Sequence, residues 1–318
     1  MNKSKSLSKL GINLTVMHHQ QEMLDKYIKY LKELKIEWVR LTLDFNDQPN
    51  LQSITYLIKE CQKNDIKVVG LLSNIIAGNI VNIIFPRLKN KPVIEQADEY
   101  RSFVIKYVSG LKKYIKHWQI LNEVNTRRFW VKRPNPAEYV MILKETSDII
   151  KKIDSKAKII FSGILENDDR RFRPFIMKDY YINSLLHNAI LYFDIASFHP
   201  YVKECFISLQ NKHYYYSKVT KLIDKAKNQM TDSKKPIWIT EFGISHKWVR
   251  ISKKDIAWVY WMIYKYCCDN GIMFFLWQLF DIRQPGHEPL SPEKYFGLLD
   301  TNLKPKETYH EFLKLIRG

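Results

Sequence analysis

Apolar and polar positions follow two periods that take turns along the whole chain. Short apolar runs of strand length are predicted at Lys9–Asn13, Trp38–Leu43, Ile66–Leu72, Trp118–Leu121, Lys158–Ser162, Phe193–Phe198, Pro236–Thr240 and Ile272–Gln278. Between them, apolar residues recur every three to four positions, the spacing of an amphipathic helix. Helices are predicted this way over Gln21–Leu34, Ile54–Asn64, Ala97–Ile115, Pro136–Ile153, Phe175–His187, Ser217–Gln229, Asp255–Cys268 and Pro305–Ile316. In Ala97–Ile115 the apolar stripe is Phe103, Val104, Tyr107, Val108 and Leu111.

Eight strands alternating with eight helices predict parallel βαβ units. The segments after strands 3, 4, 5, 6 and 8 are long, whereas those before several strands are short, as at Asp65, Asp154–Ala157 and Asp269–Gly271. This asymmetry fits an α/β (β/α)8 TIM barrel, whose functional loops follow the C-terminal ends of the strands. A doubly wound sheet is the structural rival, but no Gly-x-Gly-x-x-Gly follows the first strand and there is no P-loop. With no linker, low-complexity stretch or short repeat, residues 1–318 read as a single domain.

Two strands end on a glutamate. His117-Trp-Gln-Ile-Leu runs into Asn122-Glu123, and Pro236-Ile-Trp-Ile-Thr runs into Glu241, 118 residues further on. A carboxylate where a core strand meets a loop is costly unless it has partners, so each suggests a site. In an eight-stranded barrel, strands 4 and 7 face each other across the mouth. Two carboxyl groups so placed suit glycoside hydrolysis, one protonated as general acid and the other ionised as nucleophile or base. Roughly 5–5.5 Å between them predicts retention of configuration and roughly 6.5–9.5 Å predicts inversion.

Composition narrows the class. The chain is 46% hydrophobic and 14% aromatic, enough for a large core. Cys61, Cys205, Cys267 and Cys268 have no metal-type spacing and read as reduced thiols. No metal ligation is expected of His18, His19, His246 or His287, and no cofactor is implied. The net charge of +18 invites a nucleic-acid reading. However, lysine supplies 39 of the 51 basic residues, spread along helices as at Lys26, Lys29 and Lys32, and no nucleic-acid-binding signature accompanies it. The N-terminus is basic but lacks an apolar signal-peptide core, and no apolar run is long enough to span a membrane. The expectation is a cytoplasmic protein as written, or a secreted one had a leader been removed.

The ordered set Gly11-Ile-Asn13, Arg40, Asn122-Glu123, Ser197-Phe-His199-Pro-Tyr201, Thr240-Glu241-Phe-Gly243 and Trp277 resembles the clan A glycoside hydrolases over nearly the whole chain. The His-Trp-x-Ile-x-Asn-Glu-x-Asn and Ser-Phe-His-Pro-Tyr stretches are most similar to the family 39 branch, β-xylosidases and bacterial exopolysaccharide endoglycosidases. Val124 departs from it, standing where Asn-Glu-Pro is usual. The resemblance implies a retaining enzyme with Glu123 as acid/base and Glu241 as nucleophile. It further implies that Asn122 bonds the sugar 2-OH and that Arg40 keeps Glu241 ionised. His199 or Tyr201 would orient Glu241, and Trp277 would offer a platform to the sugar ring. Structural ion pairs, a packed turn and plain core are the alternatives for these residues.

Eight of the 12 arginines fall after strands 4, 5, 7 and 8: Arg127, Arg128, Arg133, Arg170, Arg171, Arg173, Arg250 and Arg283. Phe129, Trp130, Phe172 and Trp248 are interleaved with them, as candidates to stack on sugar rings. Arginine suits bidentate carboxylate binding, which points to an acidic oligo- or polysaccharide cut internally. Alternatively, these arginines pair with Glu166, Asp168, Asp169, Asp281, Glu288 and Glu293. An exo-acting β-xylosidase or β-glucosidase-like enzyme and a non-catalytic glycan-binding barrel are the rival functions.

Overall fold

The computed structural model describes residues 10–15, 21–46, 48–73, 92–130, 133–166, 179–202, 211–230, 234–247, 249–282 and 292–318. Among these residues nine strands run in parallel: β1 (Leu10–Thr15), β2 (Trp38–Asp44), β3 (Lys67–Ser73), β4 (His117–Ile120), β5 (Lys158–Ile160), β6 (Ile164–Glu166), β7 (Ala196–Pro200), β8 (Ile237–Phe242) and β9 (Met273–Leu276). Their order is β5-β4-β3-β2-β1-β9-β8-β7-β6. The two outermost strands, β5 and β6, are consecutive in the chain and flank Phe161-Ser162-Gly163. They are two pieces of one stave. Single bridges from Asn122 to Gly163 and from Ile160 to Ile195 carry the pairing across it. The result is the expected TIM barrel, with its fifth strand interrupted rather than continuous to Ser162.

Helices cover the outside: α1 (Gln21–Glu33), α2 (Leu51–Lys63), α3 (Ala97–Leu111), α4 (Arg127–Trp130), α5 (Pro136–Ile153), α6 (Tyr180–Leu186), α7 (Lys212–Met230), α8 (Lys253–Asp269) and α9 (Glu307–Arg317). Several starts are set by side-chain caps. Asn50 accepts from the Gln52 and Ser53 amides, Asn135 from Ala137 and Glu138, and Ser252 from Asp255. Asn135 is followed by Pro136 in the first turn, where a missing N–H costs nothing. The short α4, directly after Glu123, has no counterpart in the sequence-based expectation.

The barrel interior is layered. Alternate residues of each strand face inward. At the N-terminal end Trp38, Val69, Ile160, Ile195, Met273 and Phe275 form an apolar plug, with Trp238 packed on it. His117 joins this plug, 5.0 Å from the Trp38 ring and 5.5 Å from Trp238. Above it the inward positions are polar: Asn13, Arg40, Gln119, Ser197, His199 and Thr240, all fully buried. The main core lies outside the strands, under the helices. Each large apolar side chain there contributes roughly 1.5–3 kcal/mol.

Gly11 lets β1 pass the Phe275 ring; a Cβ at this position would sit 2.3 Å from the ring. Gly11→Ala should therefore destabilise the fold by about 1–3 kcal/mol through overpacking, read as a lower urea midpoint at unchanged m-value.

Candidate active site

Strict alternation along β8 would turn Trp238 and Thr240 inward and send Glu241 out with Ile239. A register shift between Ile239 and Phe242 prevents this. Phe242 turns outward to the Tyr260 ring of α8, 6.1 Å away, while Glu241 turns in. A bulge that gives two residues the same facing re-aims a side chain in this way. On the opposite wall β4 stops at Ile120, one residue earlier than expected. Leu121 (φ 61°) and Glu123 (φ 41°) adopt left-handed backbone, which costs non-glycine residues about 1–3 kcal/mol each. Amide bonds from Leu121 to Leu72 O and from Glu123 to Gly163 O hold this geometry, at 3.0 Å each. The turn packs Leu121 in the core and directs Asn122 into the mouth.

Arg40, on β2, is 0% exposed. Its Nε donates to Gln119 Oε1 (2.6 Å), its Nη1 to Asn13 Oδ1 and Glu241 Oε1 (2.7 Å each), and its Nη2 to Asn122 Oδ1 (2.7 Å). A guanidinium has no acceptor, so each amide must turn its oxygen toward Arg40 and its NH2 away. Asn13 then donates to the carbonyls of Thr240 (2.9 Å) and Leu276 (3.0 Å). Gln119 donates to Ser197 Oγ (2.9 Å) and, more weakly, to Phe161 O (3.3 Å) and Thr240 Oγ1 (3.4 Å). Asn122 is left with its NH2 as the end not held by Arg40.

His199 lies between the carboxylates. Its Nδ1 is 2.9 Å from Glu123 Oε1 and 3.7 Å from Glu241 Oε2, and its Nε2 is 2.9 Å from Thr240 Oγ1. It thus holds Glu123, not Glu241 as the sequence suggested, because β7 aims the ring at the β4 side. Burial, then the Arg40 charge, opposed by Glu241, takes its pKa to about 3 and keeps it neutral. An ionised Glu123 carboxylate can only accept, so we assign the imidazole hydrogen to the nitrogen facing it and leave Nε2 to accept from Thr240 Oγ1. The single imidazole hydrogen then sits on Nδ1 and is donated to Glu123 Oε1. Gly163 makes room for this ring, since a Cβ there would fall 2.0 Å from Nε2.

Ligand atoms of Glu123, His199 and Glu241 lie within 4.8 Å of one another. By distance alone they could hold a cation, but Arg40 already places a permanent positive charge on Glu241. The arrangement suits acid, base and nucleophile chemistry instead.

The remaining expected residues are placed as follows. Tyr201 is buried, its ring against Phe242 and Phe296. Trp277 is half-buried on the core, and the Trp277–Gln278 peptide is cis. Trp130 is 2% exposed and packs edge-on against Tyr139. It cannot serve as a sugar platform, because α4 turns it into the core. Phe129 is likewise buried, with Arg128 over its ring at 5.3 Å. Arg127, Arg133 and Arg250 are exposed. Glu166 pairs with Lys225 (2.5 Å) and Asp281 with Lys306 (2.7 Å), so these carboxylates take lysines. Trp248, Arg170, Arg171, Phe172, Arg173 and Arg283 lie outside the described residues.

Gln119, Thr240 and Ser197 were not assigned roles from sequence, nor was Asn13 beyond its place in the resemblance. Their signal was a polar residue at an inward position of an apolar strand.

Comparison with known proteins bears on the fold. Residues 190–267 match the family described as glycosyl hydrolase catalytic core. No curated protein sequence matches the chain. Among solved structures, a family 39 glycoside hydrolase from Bacteroides cellulosilyticus superposes with a TM-score of 0.65 at 16% identity, over 97% of this chain and 63% of that one. A monomeric β-xylosidase from Caulobacter crescentus gives 0.65 at 15%, over 97% and 68%. An endo-1,4-β-D-mannanase from Thermotoga petrophila gives 0.65 at 15%, over 98% of both chains. The chain thus spans less than two thirds of the Bacteroides enzyme, and its fold is that of the TIM-barrel glycoside hydrolases.

Two outcomes are expected. Arg40→Met strands three amides and a buried carboxylate without their donor, and should cost about 3–5 kcal/mol in chemical denaturation. His199 keeps its folded pKa near 3, below the roughly 6.5 of an unfolded histidine. The unfolded chain therefore binds the extra proton, and stability falls as pH drops from about 6.5 toward 3, at up to about 1.4 kcal/mol per pH unit. A His199→Asn variant should show a shallower acid dependence of its urea midpoint.

Proposed function

We propose that this protein is a retaining β-glycosidase that cuts internal bonds of an acidic glycan. The observation that carries the reading is the buried pair, Glu123 beside neutral His199 and Glu241 beside Arg40, with carboxylate oxygens within 4.8 Å. Glu241, ion-paired with a permanent cation, attacks the anomeric carbon and forms a glycosyl-enzyme. Glu123 protonates the leaving oxygen, then takes a proton from the water that releases the sugar. His199 steadies Glu123 in both roles by donating to Oε1. The Asn122 NH2 meets the sugar 2-OH, a contact that strengthens as charge develops in the ring. Trp277 presents an apolar face to the sugar.

Internal cleavage is supported by the mannanase, which this chain matches over nearly its full length. An acidic substrate is supported by the charge of +18 and by exposed Arg127, Arg133 and Arg250 beyond the catalytic strands.

Glu241→Ala should abolish turnover of aryl β-glycosides and of a polysaccharide panel. Glu123→Gln should slow unactivated glycans by about 100- to 10,000-fold. Aryl glycosides with good leaving groups should suffer less, because they need no proton. Proton NMR of the first product should show the β-anomer. An α-anomer, or full activity in Glu241→Ala, would refute the assignment. Glycan binding with no cleavage by the wild type would mark a non-catalytic barrel.

A further inference from the structure

The bonds of Arg40 locate the space that a sugar must fill. Its guanidinium reaches Glu241 and Asn122, each at 2.7 Å, so β2 faces the gap between the two catalytic walls. Leu41 and Leu43 turn outward into the main core. Thr42 and Asp44 are therefore the inward residues of β2 above Arg40. Successive inward positions on a strand lie roughly 6–7 Å apart. Thr42 stands one step nearer the mouth than the catalytic layer, and Asp44 two.

The packing of the barrel explains neither residue. Thr42 is 4% exposed. Its ladder neighbours are Thr15 on β1 and Leu71 on β3. Neither engages its hydroxyl, which makes no hydrogen bond among the described residues. The Thr15 and Ser73 hydroxyls are also unpartnered but sealed, whereas that of Thr42 keeps a solvent-facing surface. With Arg40 beneath it, that surface looks toward the mouth. A hydroxyl this buried usually has a partner. Asp44 is half-buried at the rim, where its Oδ1 accepts from the Asn46 amide at 3.0 Å. A carboxylate has about four lone-pair sites and can take further donors.

A hydroxyl above the catalytic layer, with a carboxylate beyond it, forms a strip that suits sugar hydroxyls. Thr42 can donate to a hydroxyl or accept from one. Asp44 accepts, and a sugar hydroxyl can donate to it. An ionised uronate has no hydrogen to give. This wall also offers it no cation, because Arg40 is 0% exposed and committed to Gln119, Asn13, Glu241 and Asn122. We propose that Thr42 and Asp44 are specificity-determining residues that hold two hydroxyls of an uncharged sugar unit at the bond being cut. The inference rests on the proposed glycosidase function and refines its substrate. Acidic groups then belong to neighbouring units, toward exposed Arg127 and Arg133 after β4.

The test uses the whole chain with aryl β-glycosides: neutral sugars paired with their uronides, and neutral sugars lacking one hydroxyl at a time. Non-hydrolysable thioglycosides of the same set are titrated by calorimetry. Thr42→Val keeps the shape and removes the hydroxyl. It should lower kcat/KM and affinity for the neutral sugar about tenfold, the worth of one hydrogen bond, and Thr42→Ser should restore both. Asp44→Asn should cost at least as much. Each penalty should vanish for one deoxy sugar, a different one for each variant. Each uronide should be the weaker member of its pair. Penalties spread evenly over the deoxy series, a uronide bound as well as its neutral partner, or no binding of any neutral thioglycoside would overturn the proposal. Affinity is read without turnover, so a chain that binds as expected but cleaves nothing sinks the hydrolase reading alone. Clean hydrolysis with uronides preferred sinks the sugar-binding wall alone.

Discussion

The site depends on a buried cation that can only donate. Arg40 has no contact with solvent, and four hydrogen bonds from it reach β1, β4, the segment after β4, and β8. Each amide acceptor is forced into one orientation by the guanidinium, and Asn13 and Gln119 pass that constraint on through their own NH2 groups. Asn13 clamps the carbonyls of Thr240 and Leu276, so strands β8 and β9 are tied to β1 by a side chain as well as by their ladder. Gln119 hands the direction to Ser197 and, more weakly, to Thr240. One charge placed by β2 thereby meets Glu241 directly and orients the amides around it.

Such a polar centre survives because of what lies below it. The plug around Trp38, Phe275 and Trp238 closes the N-terminal end of the barrel, so the polar layer opens only toward the mouth. Water there would screen Arg40 and weaken every bond it makes. The burial that makes an unpartnered charge expensive makes this fully partnered one a rigid frame.

The alternation of periods in the sequence was enough to read the barrel, because helix and strand spacing is a property of local facing. The two glutamates were legible as carboxylates at strand ends, a location with few structural reasons to be acidic. What the sequence hid was how each carboxylate is turned. Period-2 reasoning places Glu241 with Ile239 on the outward face, and only the bulge in β8 reverses it. Likewise nothing in Leu121-Asn122-Glu123 announces left-handed backbone. Trp130 looked like a sugar platform by its position after Glu123. The short helix α4 buries it instead, a packing outcome that depends on Tyr139 from a distant segment. Gln119 was overlooked for the opposite reason: one amide in an apolar strand carries no charge and belongs to no motif.

The two carboxylates end in unlike surroundings, and the difference supports the roles proposed for them. Glu241 meets a permanent cation at 2.7 Å. Glu123 meets an imidazole kept neutral by burial and by that same cation. A neutral donor on Oε1 supports both the protonated and the ionised carboxyl group, leaving Oε2 as the oxygen that carries and receives the proton. Charge on one wall and neutrality on the other is what a double displacement requires, since one carboxylate must hold its charge while its partner changes protonation twice per turnover.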